Sequence, residues 1–480
     1  MNKMKVLLLN PPMDFEAALG KADKIAKYTV MIPQGLASIA AVLERNAVEC
    51  LITDAYAENL TLDVITDRII DYNPDVLGLS CVTPVVPIVH EVIKRIKDRK
   101  PSIIVVLGGP HPSILPDEEL DDTNVDYIVK GEGEFIFLNL LNELKGGRNF
   151  SRVDGLSYRE NGKKIHNKTA ENIDNLELLP QPAYHLLPMH LYSTPPQWSL
   201  ASPSFQLLAS RGCVYQCGFC YVGMGKRMRY KNPKTICDEI EYLIKNYGCR
   251  QIVFVDTIFP ISDKHANEVC KEIINRQLNK KIVWFTSTRV DVVNQDMLNL
   301  MHRAGCRLVT FGVESGNQEI LDCIKKHITL EQTVKAVKMA HKAKIDVTAS
   351  YVLGLPGETI QTVLDTIKFA KKLNTLYAQF NIIVPYPGTE VYEYAVKNGL
   401  LRNRNWSNYV SLVSMTELDP PFIAPGMTKE ELLDIQKRAY RGYYLRPVII
   451  FKHIRKMLAN REFAKYFSMF DVLLRMFKKS

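Results

Sequence analysis

The first 150 residues alternate short apolar runs with segments in which apolar residues recur every three or four positions. The apolar runs predict strands at Lys5 to Leu9, Val48 to Thr53, Asp75 to Ser80, Ser102 to Leu107 and Asp126 to Val129. The periodic segments predict helices at Leu36 to Arg45, Leu60 to Tyr72 and Ile88 to Asp98. Because strands that alternate with helices favour a parallel sheet covered on both faces, residues 1–150 are predicted to form a doubly wound, flavodoxin-like α/β domain.

Residues 151–203 lack this alternation. An Asn161-Gly162 dipeptide lies between Leu156 to Tyr158 and Lys164 to Ile165, which is a pattern typical of a β-hairpin. Several prolines follow between Pro180 and Pro196. We therefore expect a small hairpin and then a proline-rich linker.

A second alternating series occupies residues 204–400. Its predicted strands are Phe205 to Ala209, Gln251 to Val255, Ile282 to Thr286, Arg307 to Val313, Asp346 to Leu353 and Gln379 to Val384. Its predicted helices include Pro233 to Asn246, Asp263 to Gln277 and Leu330 to Lys342. Six such units are too few for a closed eight-fold barrel, so the pattern predicts an open, partial (β/α)6 TIM-like barrel. Residues 401–480 are predicted to form a helical C-terminal region.

Unusual residues gather where the strands of the first domain end. Pro12 follows the first strand, Ser80 and Thr83 follow the third, and Gly108-Gly-Pro-His111 follows the fourth. A Glu132-Gly133 pair follows the fifth. Since ligands of doubly wound domains bind at the carboxyl ends of strands, four such segments on one edge favour a ligand over simple turns.

Three cysteines follow the first strand of the second series, at Cys213, Cys217 and Cys220. No fourth cysteine lies within fifteen residues on either side. Three thiolates can hold a four-iron cluster and leave one iron free for another ligand. A zinc site would need a fourth Cys or His nearby, and a disulfide would need an oxidising compartment, so buried structural thiols or zinc are the weaker alternatives.

The remaining strand ends of the second series also carry polar residues. Asp256, Arg289 and the pair Glu314-Ser315 follow the second, third and fourth strands. In βα barrels this edge carries the chemistry, and Glu314 has the acceptor oxygens to bind hydroxyls or an amine. Each residue alone is as easily explained by a salt bridge at the rim, but their common placement favours ligand contacts.

The composition is that of an ordinary globular protein, with 46% hydrophobic and 24% charged residues. The first residues lack a signal-peptide core, and no apolar stretch reaches the roughly 18 residues of a membrane span, so we expect a cytoplasmic protein.

The formal charge of +9 is concentrated at the C-terminus. Residues 441–480 hold ten Lys and Arg against two acidic residues, and apolar residues recur among them from Val448 onward. This basic tail is typical of a helix that lies on an anionic membrane surface, or of a helix that docks on the protein and leaves its basic face in solvent. Nothing else in the sequence indicates nucleic-acid binding.

The CxxxCxxC motif, with Phe219 beside its last cysteine, resembles the radical S-adenosylmethionine (SAM) superfamily. Gly312-Val-Glu-Ser, Leu355-Pro-Gly-Glu-Thr and Pro385-Tyr-Pro-Gly-Thr extend the resemblance along the barrel. The resemblance implies that the cysteines hold a [4Fe-4S] cluster whose open iron chelates SAM, which is then cleaved to a 5′-deoxyadenosyl radical. It makes one set of residues the expected SAM contacts: Phe219, Asp256, Arg289, Glu314 and Ser315.

The first domain resembles the cobalamin-binding domain that one branch of this superfamily carries. The resemblance implies a set of cobalamin contacts: Pro12, Gln34, Gly35, Ser80, Thr83, Gly108, Gly109, His111, Glu132 and Gly133. The DxHxxG motif, whose histidine ligates cobalt, is absent after the first strand. His111 does not match that position, so cobalamin is expected to bind without a histidine below the cobalt, or the domain has lost it.

Two activities are open within this branch. One is methylation of an unactivated carbon with methyl transfer from cobalamin, and the other is cyclisation or rearrangement, as in anaerobic magnesium-protoporphyrin ester cyclase. A cobalamin-binding sensor or an electron-transfer iron–sulfur protein is the alternative of another class. The expected partners are a small-molecule or lipid-like substrate and an external reductant such as flavodoxin or ferredoxin.

Overall fold

A computed structural model describes residues 4–13, 30–195, 197–221, 223–410 and 419–460. Within them the chain forms two compact units. The first contains residues 4–13, 31–192 and 223–225, and the second contains residue 30, residues 193–221 and the chain from 226 onward. No helix in the described residues is both long and apolar enough to cross a membrane.

The first unit is built on a seven-stranded sheet with the order β2-β1-β3-β4-β5-β6-β7. The strands are β1 Lys5–Asn10, β2 Glu49–Asp54, β3 Val76–Ser80, β4 Ile104–Gly108, β5 Tyr127–Val129, β6 Leu156–Glu160 and β7 Lys163–His166. The first five are parallel. Their order, 2-1-3-4-5, is that of flavodoxin-like domains, so the predicted fold class of this unit is confirmed.

Helices cover this sheet and bury their apolar stripes. They are α1 Gln34–Arg45, α2 Leu62–Tyr72, α3 Val86–Arg99, α4 Pro110–Ile114, α5 Pro116–Glu119 and α6 Gly133–Lys145. Helix α2 begins at Thr61, whose hydroxyl accepts from Val64 N–H, and ends at Asn73 in the left-handed conformation. The predicted hairpin is present, and it pairs with β5 in antiparallel fashion and extends the sheet.

The second unit contains a six-stranded parallel sheet with the order β15-β14-β13-β12-β11-β8. Its strands are β8 Ser204–Leu207, β11 Gln251–Phe254, β12 Val283–Thr288, β13 Cys306–Glu314, β14 Asp346–Leu353 and β15 Tyr377–Ile382. A separate pair, β9 Ser210–Arg211 and β10 Arg229–Tyr230, flanks the cysteine loop. Since β8 and β15 are the two edges, the sheet is an open partial barrel, as predicted.

Helices follow the strands of this sheet. They are α7 Pro233–Tyr247, α8 Asp263–Asn275, α9 Gln295–Arg303, α10 Gln318–Cys323, α11 Leu330–Lys342, α12 Ile360–Leu373, α13 Glu390–Lys397, α14 Lys429–Tyr444 and α15 Pro447–Asn460. Three of them begin with capping boxes at Thr329, Thr359 and Thr428, which fixes where those helices start.

The two faces of this sheet differ. Trp198 and Leu200 pack against one face, which carries Val253, Phe285 and Leu308, and we call it the inner face. On the other face, the rings of Tyr351 and Phe380 stack at 5.1 Å, and Phe380 contacts tyrosines of α14. The helices therefore cover the outer face, as in a βα barrel.

Helix α15 carries the described part of the predicted basic tail, and residues 461–480 lie outside the described residues. Ile449 is fully buried, Lys452 donates to Asn374 O at 2.7 Å, and Lys456 pairs with Asp346 at 2.5 Å. These contacts place one side of α15 on the second unit, so two lysines that the sequence assigns to a basic face are used in docking.

Candidate functional site

The three cysteines lie on the loop between β9 and β10, and the backbone of this loop is fixed at Gly218. Its N–H donates to Ile324 O at 2.9 Å, and its carbonyl accepts from Val391 N–H at 3.0 Å. A Cβ at this position would lie 3.3 Å from Glu390 Oε2, which is tighter than ordinary contact. The glycine thus lets the loop approach α13 closely.

The three thiols differ in exposure but affect one another. Cys213 is buried, Cys217 is half-buried and Cys220 is exposed. Burial raises the pKa of Cys217, and the cations of Lys326 and Arg289 act against that shift. Desolvation, together with the charges of Cys217 and Cys213, raises the pKa of Cys220 to about 11. The three thiolates therefore repel one another and need a cationic partner to be present together.

Three cysteine thiolates are the donor set of a four-iron cluster with one open iron. Among the described residues, no group of three or more His, Cys, Asp and Glu side chains is arranged to hold one metal ion. In a four-iron cluster each thiolate binds a different iron, which requires a wider spacing of the sulfur atoms than ligands of one ion have.

Arg289 lies directly beside this loop. Its Nη1 is 3.7 Å from Cys217 Sγ, and its guanidinium lies 3.6 Å from the centre of the Tyr215 ring. Asp291 accepts from Nε at 2.9 Å and from Nη2 at 3.0 Å, and Lys326 O accepts from Nη2 at 2.7 Å. The buried cation is thus held in one orientation next to the Cys217 thiol.

Glu314 is also buried and forms an ion pair with Lys326, with 2.6 Å between Oε1 and Nζ. Glu314 adopts a left-handed backbone conformation, with φ of +63°, at a register shift between β13 and β14. A Cβ on Gly312 would lie 2.5 Å from Glu314 Oε1 and 3.0 Å from Lys326 Nζ. Glycine at 312 therefore makes room for the pair.

Two other predicted SAM contacts have structural partners. Asp256 accepts from the Ser210 hydroxyl and from Ala209 N–H, and burial raises its pKa to about 6. It ties the end of β11 to the start of the cysteine loop. Ser315 is fully buried, and its hydroxyl lies 3.1 Å from that of Thr366 on α12.

The structure thus brings Arg289, Glu314 and Phe219 together around Lys326, whose Nζ lies 5.9 Å from the centre of the Phe219 ring. Sequence reasoning missed Lys326. One lysine among 61 Lys and Arg has no distinguishing local signal, and only its closeness along the chain to the Glu314 segment hinted at a role. The roles of the individual residues in SAM binding stay predictions.

In the first unit, the predicted cobalamin contacts lie at the carboxyl ends of the strands or at the helix starts that follow them. Pro12 follows β1, while Ser80 and Thr83 follow β3, and the order of the sheet reverses between these two strands. That switch point is where ligands of doubly wound domains bind. Gln34 donates to the Tyr184 hydroxyl at 3.4 Å.

Glycines shape the rest of this edge. Gly109 has φ of +106°, and a Cβ there would lie 2.7 Å from Cys81 O, so β3 and β4 approach too closely for a side chain. Gly35 has nothing within 4 Å of a Cβ, which leaves open space at the start of α1. Gly108 ends β4, and Gly133 begins α6 close to Ile39. Glu132 accepts from Ile173 N–H at 2.6 Å.

His111 is fully buried below this edge. Its Nδ1 lies 3.2 Å from the Thr83 hydroxyl and its Nε2 lies 3.3 Å from Glu119 Oε1. Both ring nitrogens thus face protein groups, which fits a cobalamin held without a histidine ligand from this position. The open space at Gly35 and the strand order fit the cofactor as well.

Comparisons with known proteins agree with both units. Residues 207–370 match the radical SAM superfamily, and residues 23–141 match the B12 binding domain. An uncharacterized methyltransferase of Pyrococcus horikoshii, PH0819, is 36% identical over 457 residues, which are 95% of each chain. The anaerobic magnesium-protoporphyrin IX monomethyl ester cyclase of Rubrivivax gelatinosus is 28% identical, over 86% of this chain and 74% of its own.

A solved structure shares the fold. The radical SAM methyltransferase TsrM of Kitasatospora setae, with cobalamin and a [4Fe-4S] cluster bound, has a TM-score of 0.71 and 18% identity, over 93% of this chain and 90% of its own. The resemblance predicted from the motifs is confirmed. The chain belongs to the cobalamin-binding branch of the radical SAM superfamily, whose enzymes use S-adenosylmethionine, a [4Fe-4S] cluster and cobalamin.

Proposed function

We propose that this protein methylates a carbon atom of a small-molecule substrate. The observation that carries the proposal is the three-thiol loop set beside two buried cations, Arg289 and Lys326. The 36% identity to a named methyltransferase supports methyl transfer over other radical reactions. When bound, the cluster and SAM would supply a carbon-centred radical, and cobalamin would supply the methyl group.

The thiols, the cations and the carboxylates of the second unit would have different binding roles. Cys213, Cys217 and Cys220 would hold the cluster. Arg289 and Lys326 offer cations for the carboxylate of SAM, and Glu314 offers an acceptor for its amine or hydroxyls. Asp256, which already accepts two hydrogen bonds, would position the cysteine loop.

In the first unit, the residues at the switch point would hold cobalamin. Pro12, Ser80 and Gly109 line the carboxyl ends of adjacent strands. Because Thr83 and Glu119 face both nitrogens of His111, His111 would line the cobalamin site without serving as a ligand of cobalt.

One anaerobic assay tests this function. Cluster- and cobalamin-loaded protein is supplied with SAM, a candidate substrate and reduced flavodoxin, since we propose that a small low-potential protein of this kind, or a ferredoxin, is its reductant. Formation of both S-adenosylhomocysteine and 5′-deoxyadenosine supports methyl transfer. Absence of SAM cleavage with flavodoxin and with dithionite would contradict the proposal and favour a sensor or an electron-transfer protein.

A cyclase or rearrangement reaction is the second candidate, because the R. gelatinosus cyclase is 28% identical over most of this chain. The same assay separates the two. Substrate-dependent 5′-deoxyadenosine without S-adenosylhomocysteine would favour the cyclase.

We further propose that α15 contacts a membrane surface. Its undocked side exposes apolar residues: Val448, Ile450, Phe451, Ile454 and Leu458. Phe451 is 68% exposed, which is unusual for an aromatic side chain with no further role. Binding to anionic vesicles should fall in a Phe451→Ser, Leu458→Ser variant, and no binding by the full chain would reject the proposal.

A further inference from the structure

We propose that the substrate, bound against the inner face of the partial barrel as is usual for this fold, is a neutral molecule rich in hydroxyl or amide groups. The inference rests on the proposed function and narrows its substrate class. It opposes the lipid-like substrate that the basic tail suggested.

Strand register identifies the residues of this face. Phe285 pairs with Leu308 on the inner face, so Ser287 and Thr310, which pair two residues further on, share it. Thr310 pairs with Thr348 on β14. A polar row therefore crosses β12, β13 and β14 directly above the apolar layer.

The next two rows also contain polar residues, although Val352 is apolar. Ser350 pairs with Gln379, and Val352 pairs with Asn381, on the same face of β14 and β15. We call the six side chains the polar layer: Ser287, Thr310, Thr348, Ser350, Gln379 and Asn381. Parallel strands of a barrel interior usually carry bulky apolar residues, so this composition is unusual.

Two hydroxyls of the polar layer are buried without a partner. Thr310 is 6% exposed and Thr348 is 0% exposed, and neither hydroxyl has a hydrogen-bond partner among the described residues. On β12, by contrast, Thr286 donates to Phe259 O at 2.6 Å and Thr288 to Pro260 O at 2.7 Å. Buried hydroxyls are normally satisfied, and Tyr351 Oη on the outer face of β14 also lacks a partner within the described ranges. What favours a polar ligand on the inner face is therefore the combination of the Thr310 and Thr348 hydroxyls with the polar layer to which they belong.

The other four members of the polar layer are partly exposed. No hydrogen bond joins the side chains of Ser350, Gln379 or Asn381 to another residue in the described chain. The two amides offer both donors and acceptors, and the hydroxyls can act as either. A hydrocarbon chain in this place would leave these groups unsatisfied, whereas a molecule with hydroxyls or amides would pair with them.

No formal charge lies in the polar layer. The charged groups of this edge, Arg289, Glu314 and Lys326, lie at the ends of the strands beside the cysteine loop. The Asp346 carboxylate at the start of β14 pairs with Lys456. Below the polar layer, Trp198 stacks on Phe285 at 5.2 Å and closes the apolar end. The polar layer therefore suits a neutral polar molecule that does not extend past Trp198 and Phe285.

The first test asks which compounds drive turnover. Protein loaded with cluster, cobalamin and SAM receives either the aqueous or the organic phase of a cell extract, with dithionite as reductant. Stimulation of S-adenosylhomocysteine formation by the aqueous phase supports the proposal. Stimulation by the organic phase, or by neither phase while SAM is still cleaved, overturns it. Loss of SAM cleavage itself would be a failure of the proposed function instead.

The second test uses isosteric variants and needs no identified substrate for its first readout. Thr348→Val should leave the melting temperature of the ligand-free protein unchanged or higher, because it removes an unsatisfied hydroxyl. The matched control Thr286→Val should lower it, since Phe259 O loses its donor. If Thr348→Val lowers the melting temperature as much as Thr286→Val does, the Thr348 hydroxyl has a structural role and the proposal is overturned.

The same variants distinguish substrate from SAM. Turnover stimulated by the aqueous phase should fall about fivefold to tenfold in Thr348→Val and recover in Thr348→Ser, while SAM affinity stays unchanged. A matching loss of SAM affinity would assign the layer to SAM and reject the substrate assignment.

Discussion

At the scale of single residues, the ion pair of Glu314 and Lys326 is the most consequential contact of the candidate site. Both side chains are buried, 7% and 5% exposed, and their charged atoms lie 2.6 Å apart. Removing both charges from water is costly, and their mutual attraction offsets this cost only while both side chains are present. Loss of either side chain would therefore leave the other as an unpaired buried charge. The pair also keeps a carboxylate and an ammonium close to the thiols of the cysteine loop.

We predict that Lys326→Met destabilises the ligand-free protein by about 3–5 kcal/mol, because Glu314 is left as an unpaired buried charge. The double variant Lys326→Met, Glu314→Gln should recover most of this loss. Chemical denaturation of the wild type, of Lys326→Met, of Glu314→Gln and of the double variant measures the coupling. If the single and the double variant are equally unstable, the pair is not coupled in the folded state.

At the scale of elements, α14 completes the open edge of the partial barrel. The Tyr444 hydroxyl accepts from Ala378 N–H at 3.1 Å and donates to Ala378 O at 2.9 Å. Tyr440 accepts from Phe380 N–H at 3.2 Å. Side chains of a helix thus occupy the backbone positions that a seventh strand would fill, which protects the edge from pairing with another chain.

We predict that Tyr444→Phe lowers the free energy of unfolding by about 1–3 kcal/mol, because two buried backbone groups of β15 lose their partner. Hydrogen exchange at the Ala378 amide should also accelerate. Tyr394→Phe is the matched control, since this tyrosine is 37% exposed on α13. Equal effects of the two substitutions would contradict the edge-covering role.

A second network joins α3 to α5 in the first unit. His90 lies 3.1 Å from Glu119 and 2.8 Å from Asp122, and His111 contacts the other oxygen of Glu119. The hydrogen bond to Glu119 raises the pKa of His90 to about 9. Burial opposes the charge of Glu119, yet hydrogen bonds from His111 and His90 lower its pKa to about 2. The hydrogen bond between His90 and Glu119 contributes both to the rise in the pKa of His90 and to the fall in the pKa of Glu119.

These shifts predict how stability depends on pH. The contribution of His90 is complete below its unfolded pKa of about 6.5 and is lost as pH rises through about 9; it amounts to about 3 kcal/mol. The contribution of Glu119 is complete above about 4.5 and is lost as pH falls toward about 2. Denaturation of wild type and His90→Gln between pH 5 and 10 checks the first loss. The variant should show a flatter curve, and an unchanged slope would contradict the assignment.

The sequence predicted most elements because their apolar periodicity is local. The predicted bounds of β14 and α11 agree with the structure residue for residue, and the other strands of both sheets differ by a few residues. Periodicity carries no information on pairing partners. It therefore missed that the β6–β7 hairpin extends the first sheet and that Tyr440 and Tyr444 cover β15. The motifs located the cysteine loop, but Lys326 is recognised only once folding brings it to Glu314.

At the scale of the whole molecule, the residues predicted to hold the two cofactors lie in separate units. Cys213, Cys217 and Cys220 belong to the second unit, and the switch point with Gly109 belongs to the first. Each unit has its own sheet and its own buried core. Damage confined to one site should therefore leave the binding of the other cofactor intact, even though turnover needs both.

We predict that the binding of each cofactor can be lost while the binding of the other is retained. Cys217→Ala should lose most cluster iron and all SAM cleavage, because two thiolates do not hold the cluster, while cobalamin binding stays at the wild-type level. Gly109→Ala should lose cobalamin and keep its cluster iron. A Cβ at φ of +106° would lie 2.7 Å from Cys81 O and distort the edge formed by β3 and β4.

Iron content and the visible spectrum of bound cobalamin measure both outcomes on the same preparation. Cys50→Ala on β2 and Gly147→Ala beyond α6 are the matched controls, because the first thiol belongs to the other unit and is not one of the three predicted cluster ligands, and a Cβ at the second position meets only ordinary contact. Loss of both cofactors in either site variant would mean that the two sites fold as one cooperative structure. Retention of full iron in Cys217→Ala would instead remove the cluster assignment, and with it the basis for placing SAM beside Arg289.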